Sequence, residues 1–169
     1  MIFISHDSRS TREAEQFGRL VRKYPNRPDE MTARLFLSSD DSSIPSGELW
    51  VCHIFAKLKE CEHFVSLIVD PRDYDNRWIP FEAAYAMGRK IEVNVFVFGQ
   101  LQIEKIQPPL NHLHLIDTGK TGRVQSALSS IGVRWSEEME REFAHLFRQC
   151  GCYRDPKEKC DFAVKDAGR

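Results

Sequence analysis

The sequence predicts an α/β domain, a three-layer sandwich with helices on both faces of a parallel sheet. Three observations predict it. Short apolar runs alternate with segments of helical period along the chain, the pattern of strands joined by crossover helices. Five such strand–helix units fit in about 130 residues, the size of one doubly wound domain. The composition is that of a folded globular protein, with 41% hydrophobic and 29% charged residues among 169.

The elements follow in order. Ile2 to Ile4 is a first strand. Ser10-Thr11-Arg12-Glu13 reads as a capping box, and Ala14, Phe17, Val21 and Tyr24 continue at helical spacing until Pro25 and Pro28 stop the helix. Arg34 to Leu37 is a second strand, followed by a polar loop from Ser38 to Ser43. Trp50, Ile54, Leu58 and Cys61 mark a second helix, in which Cys52 and Cys61 read as small core hydrophobes. Phe64 to Val69 is a third strand, ended by Asp70-Pro71. After a charged loop from Arg72 to Arg77, Pro80 suits the first turn of a helix that runs to about Gly88. Val93 to Phe98 is a fourth strand ended by Gly99, and Leu113 to Ile116 a short fifth. Thr121 to Ile131 is another helix. Ser136 caps a last one with Met139, Phe143, Leu146, Phe147 and Cys150 on its apolar face.

This succession predicts a flavodoxin-like, five-stranded parallel sheet in the order 2-1-3-4-5. In such a sheet ligands bind at the carboxyl ends of the strands where the winding reverses, here strands 1 and 3. Two segments are thereby singled out: Ser5 to Ser8, and Asp70 to Glu82. Residues 1–133 form the expected domain, 134–150 a helix packed on it, and 151–169 a polar tail or linker.

The charge balance excludes function classes. With 24 Lys+Arg against 25 Asp+Glu, the chain has no basic surplus for nucleic acid, and direct nucleic-acid binding is not expected. No apolar run approaches the roughly 18–20 residues of a membrane span. Met1 to Ile4 passes directly into Ser5-His6-Asp7 without a basic or long apolar leader, which predicts a cytoplasmic protein. Five cysteines are then expected to be free thiols. His145, Cys150, Cys152 and Cys160 suggest a zinc site only weakly, because Cys-x-Cys is a poor ligand spacing, and no metal is expected.

Within the two singled-out segments, Trp78 and Glu82 stand four residues apart, and Tyr85 follows three later. This spacing places them along one helix face. A carboxylate beside an indole at the crevice mouth suits stabilising a cation; the helix N-terminus favours its ionised form and burial opposes it. The plainer reading is a helix-terminal acid and a core aromatic.

Three segments resemble the Toll/interleukin-receptor (TIR) family. Ile2-Phe3-Ile4-Ser5-His6 looks like its first box in the form of bacterial members. Ile44-Pro45-Ser46-Gly47-Glu48-Leu49-Trp50, continued by Ile54 and Leu58, is similar to its second-loop and second-helix pattern. Tyr74-x-x-x-Trp78-x-x-x-Glu82-x-x-x-Ala86 resembles the segment that holds the catalytic glutamate of TIR NAD hydrolases. The segments occur in the family's order. Asn76-Arg77 and Ile79-Pro80 depart from the commoner residues around the Trp.

The resemblance implies an enzyme that cleaves the nicotinamide–ribose bond of NAD⁺ to ADP-ribose or a cyclic isomer, in bacterial anti-phage defence. NAD⁺ is then substrate, and no cofactor is implied. Glu82 would be catalytic, with Phe3, Ser5, His6, Tyr74 and Trp78 around the substrate. Phe3 reads equally well as core, and His6 with Asp7 as a turn cap. Arg72 and Arg77 read as solvated loop residues before pyrophosphate contacts. The polar loop from Ser39 to Gly47 corresponds to the family's assembly loop, which implies TIR–TIR self-association and a downstream sensor domain or effector as partner. The rival reading is a non-catalytic TIR scaffold. A second rival is a receiver-like or nucleoside-transferase relative with the same sheet; Asp70 fits a phosphoacceptor, but a receiver needs an acidic pair after strand 1 and only Asp7 is there.

Overall fold

The computed structural model describes residues 1–26, 34–38, 49–99 and 103–149. Five parallel strands form one sheet in the order β2-β1-β3-β4-β5, as the alternation predicts. The strands are β1 (Ile2–Ser5), β2 (Leu35–Leu37), β3 (His63–Ile68), β4 (Glu92–Val97) and β5 (Leu115–Asp117). Between and after them run α1 (Thr11–Lys23), α2 (Trp50–Glu60), α3 (Trp78–Gly88), α4 (Thr121–Ser130) and α5 (Glu137–Gln149).

Strand side chains alternate between two apolar layers. Ile2, Ile4, Val65, Leu67, Phe96 and Ile116 meet α1, α4 and α5 on one face. Phe3, Phe64, Ile68, Val95 and Val97 meet α2 and α3 on the other. This parity puts Ser5 and its register partner Ser66 on the α3 side. Gly99 ends β4 at φ 74°, a left-handed conformation that glycine adopts without a Cβ clash.

Four local readings need correction. Ser10 makes no side-chain cap; the chain enters α1 through a 3-10 turn, Ser8–Ser10, capped by Asp7, so the capping box is not used. The fifth strand begins at Leu115, because a 3-10 turn over Leu110–His112 takes up the preceding chain. Cys61 is buried as expected, but Cys52 is exposed, on the outer side of α2. Glu82 is the fifth residue of α3, in its second turn and not its first.

Ser136 caps α5 as expected, its hydroxyl accepting the Met139 N–H at 3.2 Å. The second-loop residues Ser39 to Gly47, Pro28, and the cysteines at 150, 152 and 160 lie outside the described residues. Among the described residues no helix is long and apolar enough to cross a membrane.

Candidate functional site

The crevice at the carboxyl ends of β1 and β3 is assembled from short polar links. Asp70 caps the 3-10 turn Pro71–Asp75 by accepting the Arg72 N–H at 2.9 Å, and it pairs with the Arg72 guanidinium at 2.8 Å. These bonds give Asp70, the acid that follows β3, a structural role in the turn. The buried Asp73 carboxylate accepts the Val69 and Asp70 N–H groups at 2.8 and 3.0 Å, and desolvation raises its pKa.

Across the crevice, Asp7 takes two bonds from the Arg9 guanidinium, at 2.7 and 2.8 Å. That pairing holds its pKa well below the ordinary carboxylate range. Asp7 also accepts the Asn76 side-chain N–H at 2.7 Å. Asn76 in turn accepts the Trp78 and Ile79 N–H groups at 2.8 and 3.2 Å. The first N–H groups of a helix have no partner within it, so Asn76 supplies them. A chain of bonds thus ties the turn after β1 to the start of α3, the helix that carries Glu82.

Glu82 lies under α3 and is 1% exposed. Its Oε2 accepts the Ser5 hydroxyl at 2.5 Å, and its Oε1 has no hydrogen-bond partner among the described residues. Burial pushes its pKa up to about 8, the Ser5 bond opposing. Of the two opposing influences expected on Glu82, burial is the larger, and its carboxyl group holds a proton to higher pH than an exposed glutamate does. The helix macrodipole acts within the first turn; in the second turn desolvation outweighs it.

Trp78 does not share Glu82's environment. Four residues advance a helix by a turn and a further ~40°, and here that separates the two. Trp78 is 44% exposed, its ring edge-on to Trp50 at 4.6 Å and to Phe81 at 5.7 Å. Tyr85 is half-buried against Phe55, centroids 5.0 Å apart.

The other expected substrate contacts divide. Ser5 is at the centre of the site. His6 is buried beside it, its Nδ1 3.3 Å from the Ile4 carbonyl oxygen and its backbone N–H donated to the Ser38 hydroxyl oxygen; desolvation lowers its pKa. Tyr74 is half-buried on the β3 side. Phe3 is fully enclosed, stacked on Phe64 at 5.5 Å and tilted on Phe36 at 5.1 Å. Its burial among these rings makes it part of the core. Arg72 is held by Asp70, and Arg77 is exposed.

The sequence reading assigned Asn76 no part in the site. Its signal was available: an Asn two residues before a helical Trp, in a loop of Asp and Arg, is an ordinary cap pattern. Asn76→Ala is expected to lower the melting temperature by the equivalent of about 1 kcal/mol. It should also weaken ligand binding at the crevice more than the distant Ser136→Ala cap loss does. Equal binding in the two variants, by calorimetry, would detach Asn76 from the site.

No protein-family model matches the sequence, and no curated protein matches it. Among solved structures, the TIR domains of the activated Roq1 resistosome, described as directly recognizing the pathogen effector XopQ, are similar at a TM-score of 0.48 and 12% identity. The match spans 88% of this chain and 97% of that one. Residue roles therefore rest on the site itself.

Proposed function

We propose that this chain is a TIR-type NAD⁺ glycohydrolase with Glu82 as the catalytic carboxylate. The observation that carries the reading is a glutamate buried at the topological switch point, bonded to Ser5 at the end of β1. The sequence motif around Trp78 and Glu82 supports it.

The chemistry suits one carboxyl group. Glycosidases acting on ordinary sugars need a second, protonated carboxyl because their leaving group is a poor one. In NAD⁺ the nicotinamide is already a cationic pyridinium. The C1′–N bond breaks with its electron pair moving to the ring nitrogen, and nicotinamide leaves neutral. The ribose is left as an oxocarbenium-like cation, which a carboxylate stabilises. Water adds at C1′ and releases a proton, giving ADP-ribose; attack by the substrate's own adenine gives a cyclic isomer.

The cation also answers the protonated resting state. A positive charge brought beside a carboxyl group favours its ionised form. In the free enzyme Glu82 ionises only near pH 8, and kcat/KM reports the free enzyme's titration. With the carboxylate as the working form, kcat/KM for NAD⁺ is expected to rise about tenfold per pH unit below that point and level above it. A profile that is flat from pH 6 to 8, or one that falls, contradicts a carboxylate catalyst.

The direct test is to incubate purified protein at high concentration with NAD⁺ and resolve products by chromatography. Nicotinamide together with ADP-ribose or its cyclic isomer is the expected outcome. NAD⁺ left intact, by protein that is assembled in light scattering, defeats the proposal.

The scaffold reading is favoured by a separate observation. Trp78 and Phe81 are large apolar side chains left exposed on α3, in contact with each other and, through Trp78, with Trp50 at the start of α2, a surface suited to contact with a partner. We take self-association to be part of the enzymatic reading, so specific activity should climb with protein concentration. Constant specific activity across a hundredfold dilution, by a protein that stays monomeric, separates activity from assembly. A bacterial anti-phage setting is the physiological context this reading carries.

A further inference from the structure

We propose that Ser66 is a positioning residue for Glu82, a second hydroxyl donor that completes the shell of the carboxylate when it ionises. The inference rests on the carboxylate reading above and adds a residue to it.

Ser66 lies in the middle of β3, fully buried, and its Oγ has no hydrogen-bond partner among the described residues. It is the register partner of Ser5. Directly paired residues of neighbouring strands point to the same face of a sheet, so the two hydroxyls stand side by side beneath α3. Ser5 already donates to one oxygen of Glu82. The other carboxylate oxygen, Oε1, is buried and unbonded among the described residues.

Two unpaired polar groups on facing elements of one buried layer are costly if idle. A buried polar group without a partner destabilises by about 1–3 kcal/mol, and β3 is otherwise apolar on this face, with Phe64 and Ile68 on either side. An alanine would fill the same position at no such cost. A hydroxyl rotates about one bond, and a negative oxygen is the acceptor that most rewards that rotation. The neutral carboxyl group carries its proton on one oxygen and accepts fully at the other, where Ser5 donates. The carboxylate has acceptor sites on both oxygens, and Ser66 is placed for the second.

The surroundings leave the serines as the groups that set this ionisation. α3 packs on β1, β3, β4 and α2. On the layer facing α3, β1 offers Phe3 and Ser5, β3 offers Phe64, Ser66 and Ile68, and β4 offers Val95 and Val97. None of these carries a charge. The titratable group of α2 on this side is His53, whose ring lies against Phe36 at 5.7 Å. α3 itself adds Tyr85. At the crevice mouth stand His6, Asp7, Asp73 and Tyr74, with Asp7 already bonded to Arg9 and Asn76, and Asp73 to the backbone after β3. Among the described residues, burial raises the Glu82 pKa and the Ser5 bond lowers it.

The test is a direct titration that needs no turnover. Glutamate carboxyl carbons are labelled with ¹³C, and the Glu82 signal is identified by its loss in Glu82→Gln. Its midpoint is then followed in the wild type and in Ser66→Ala and Ser66→Gly. Both variants should titrate at least about one pH unit higher, a tenfold change in ionisation constant. If NAD⁺ is cleaved, the rise of kcat/KM should move up by the same amount. A midpoint that stays within about 0.3 unit in both variants, with Ser66→Ala merely raising the melting temperature, overturns the proposal and makes Ser66 an idle buried hydroxyl. Because the titration is read without substrate, a shifted midpoint in a protein that leaves NAD⁺ intact upholds the role of Ser66 and defeats only the enzymatic reading.

Discussion

Glu82→Gln is expected to abolish NAD⁺ cleavage while making the fold more stable. Removing one electrostatic stabiliser of a developing charge typically costs about 10²–10³ in rate, and among the described residues Glu82 is the carboxyl group buried beneath α3. Stability moves the other way. The carboxyl group ionises near 4.5 when exposed and near 8 when folded, so between those values the folded state holds a proton that the unfolded state has lost. Stability therefore falls as pH rises through this window and is level on either side of it. Glutamine carries no such proton and still accepts the Ser5 hydroxyl. Its melting temperature should match the wild type near pH 4.5 and exceed it increasingly towards pH 8, by a free energy on the order of a few kcal/mol. Turnover by the Gln variant within about threefold of wild type would assign catalysis to another residue. A melting difference that is constant with pH would mean that Glu82 is not buried as its position implies.

Ending the chain at Arg134 is expected to unfold the domain, whereas ending it at Cys150 should leave the fold and the activity intact. α5 places Met139, Phe143 and Leu146 in the core against α1, at 0, 4 and 4% exposure. Phe143 meets Phe17 edge-on at 6.5 Å and Trp135 at 6.1 Å. Burying side chains of this size contributes about 1.5–3 kcal/mol each. Losing three of them, and opening Phe17 and Leu20 to water, approaches the whole stability of a domain, about 5–15 kcal/mol. The exposed pairs of Lys23 with Glu138 and Glu142 add little. Circular dichroism of the two truncations decides the matter. A cooperative transition retained by the shorter protein would make α5 an accessory. A sharp loss of stability in the longer one, with zinc found in the full chain by elemental analysis, would restore the Cys152 and Cys160 ligand reading.

Much of this site was legible before any coordinates. Alternating apolar runs placed β1 and β3, and the winding rule then named their carboxyl ends, where Ser5 and Glu82 meet. The spacing from Trp78 to Glu82 marked the helix. The same spacing was misleading about environment. A helical face is a stripe, and whether each residue on it is buried depends on what layer lies beneath. Glu82 sits over β1 and β3 and loses its water, while Trp78 rests edge-on against Trp50 and keeps part of its own. Phe3 shows the converse. Its place in a motif suggested a ligand contact, and its position in the strand's alternation, facing Phe36 and Phe64, makes it core.

Local pattern determined the order of elements, the parallel sheet and the cap at Ser136, because each depends on residues near in sequence and on the periods of helix and strand; the candidacy of Glu82 came from the resemblance of its segment to the TIR pattern. Only the tertiary structure decided the protonation of Glu82, the bond from Ser5 across 77 positions, the Asp7–Asn76 link across 69 and the pairing of Ser5 with Ser66. A pKa is set by the water and the partners a group loses or gains on folding. Those come from chain segments distant in sequence, brought together by a register that no single segment encodes.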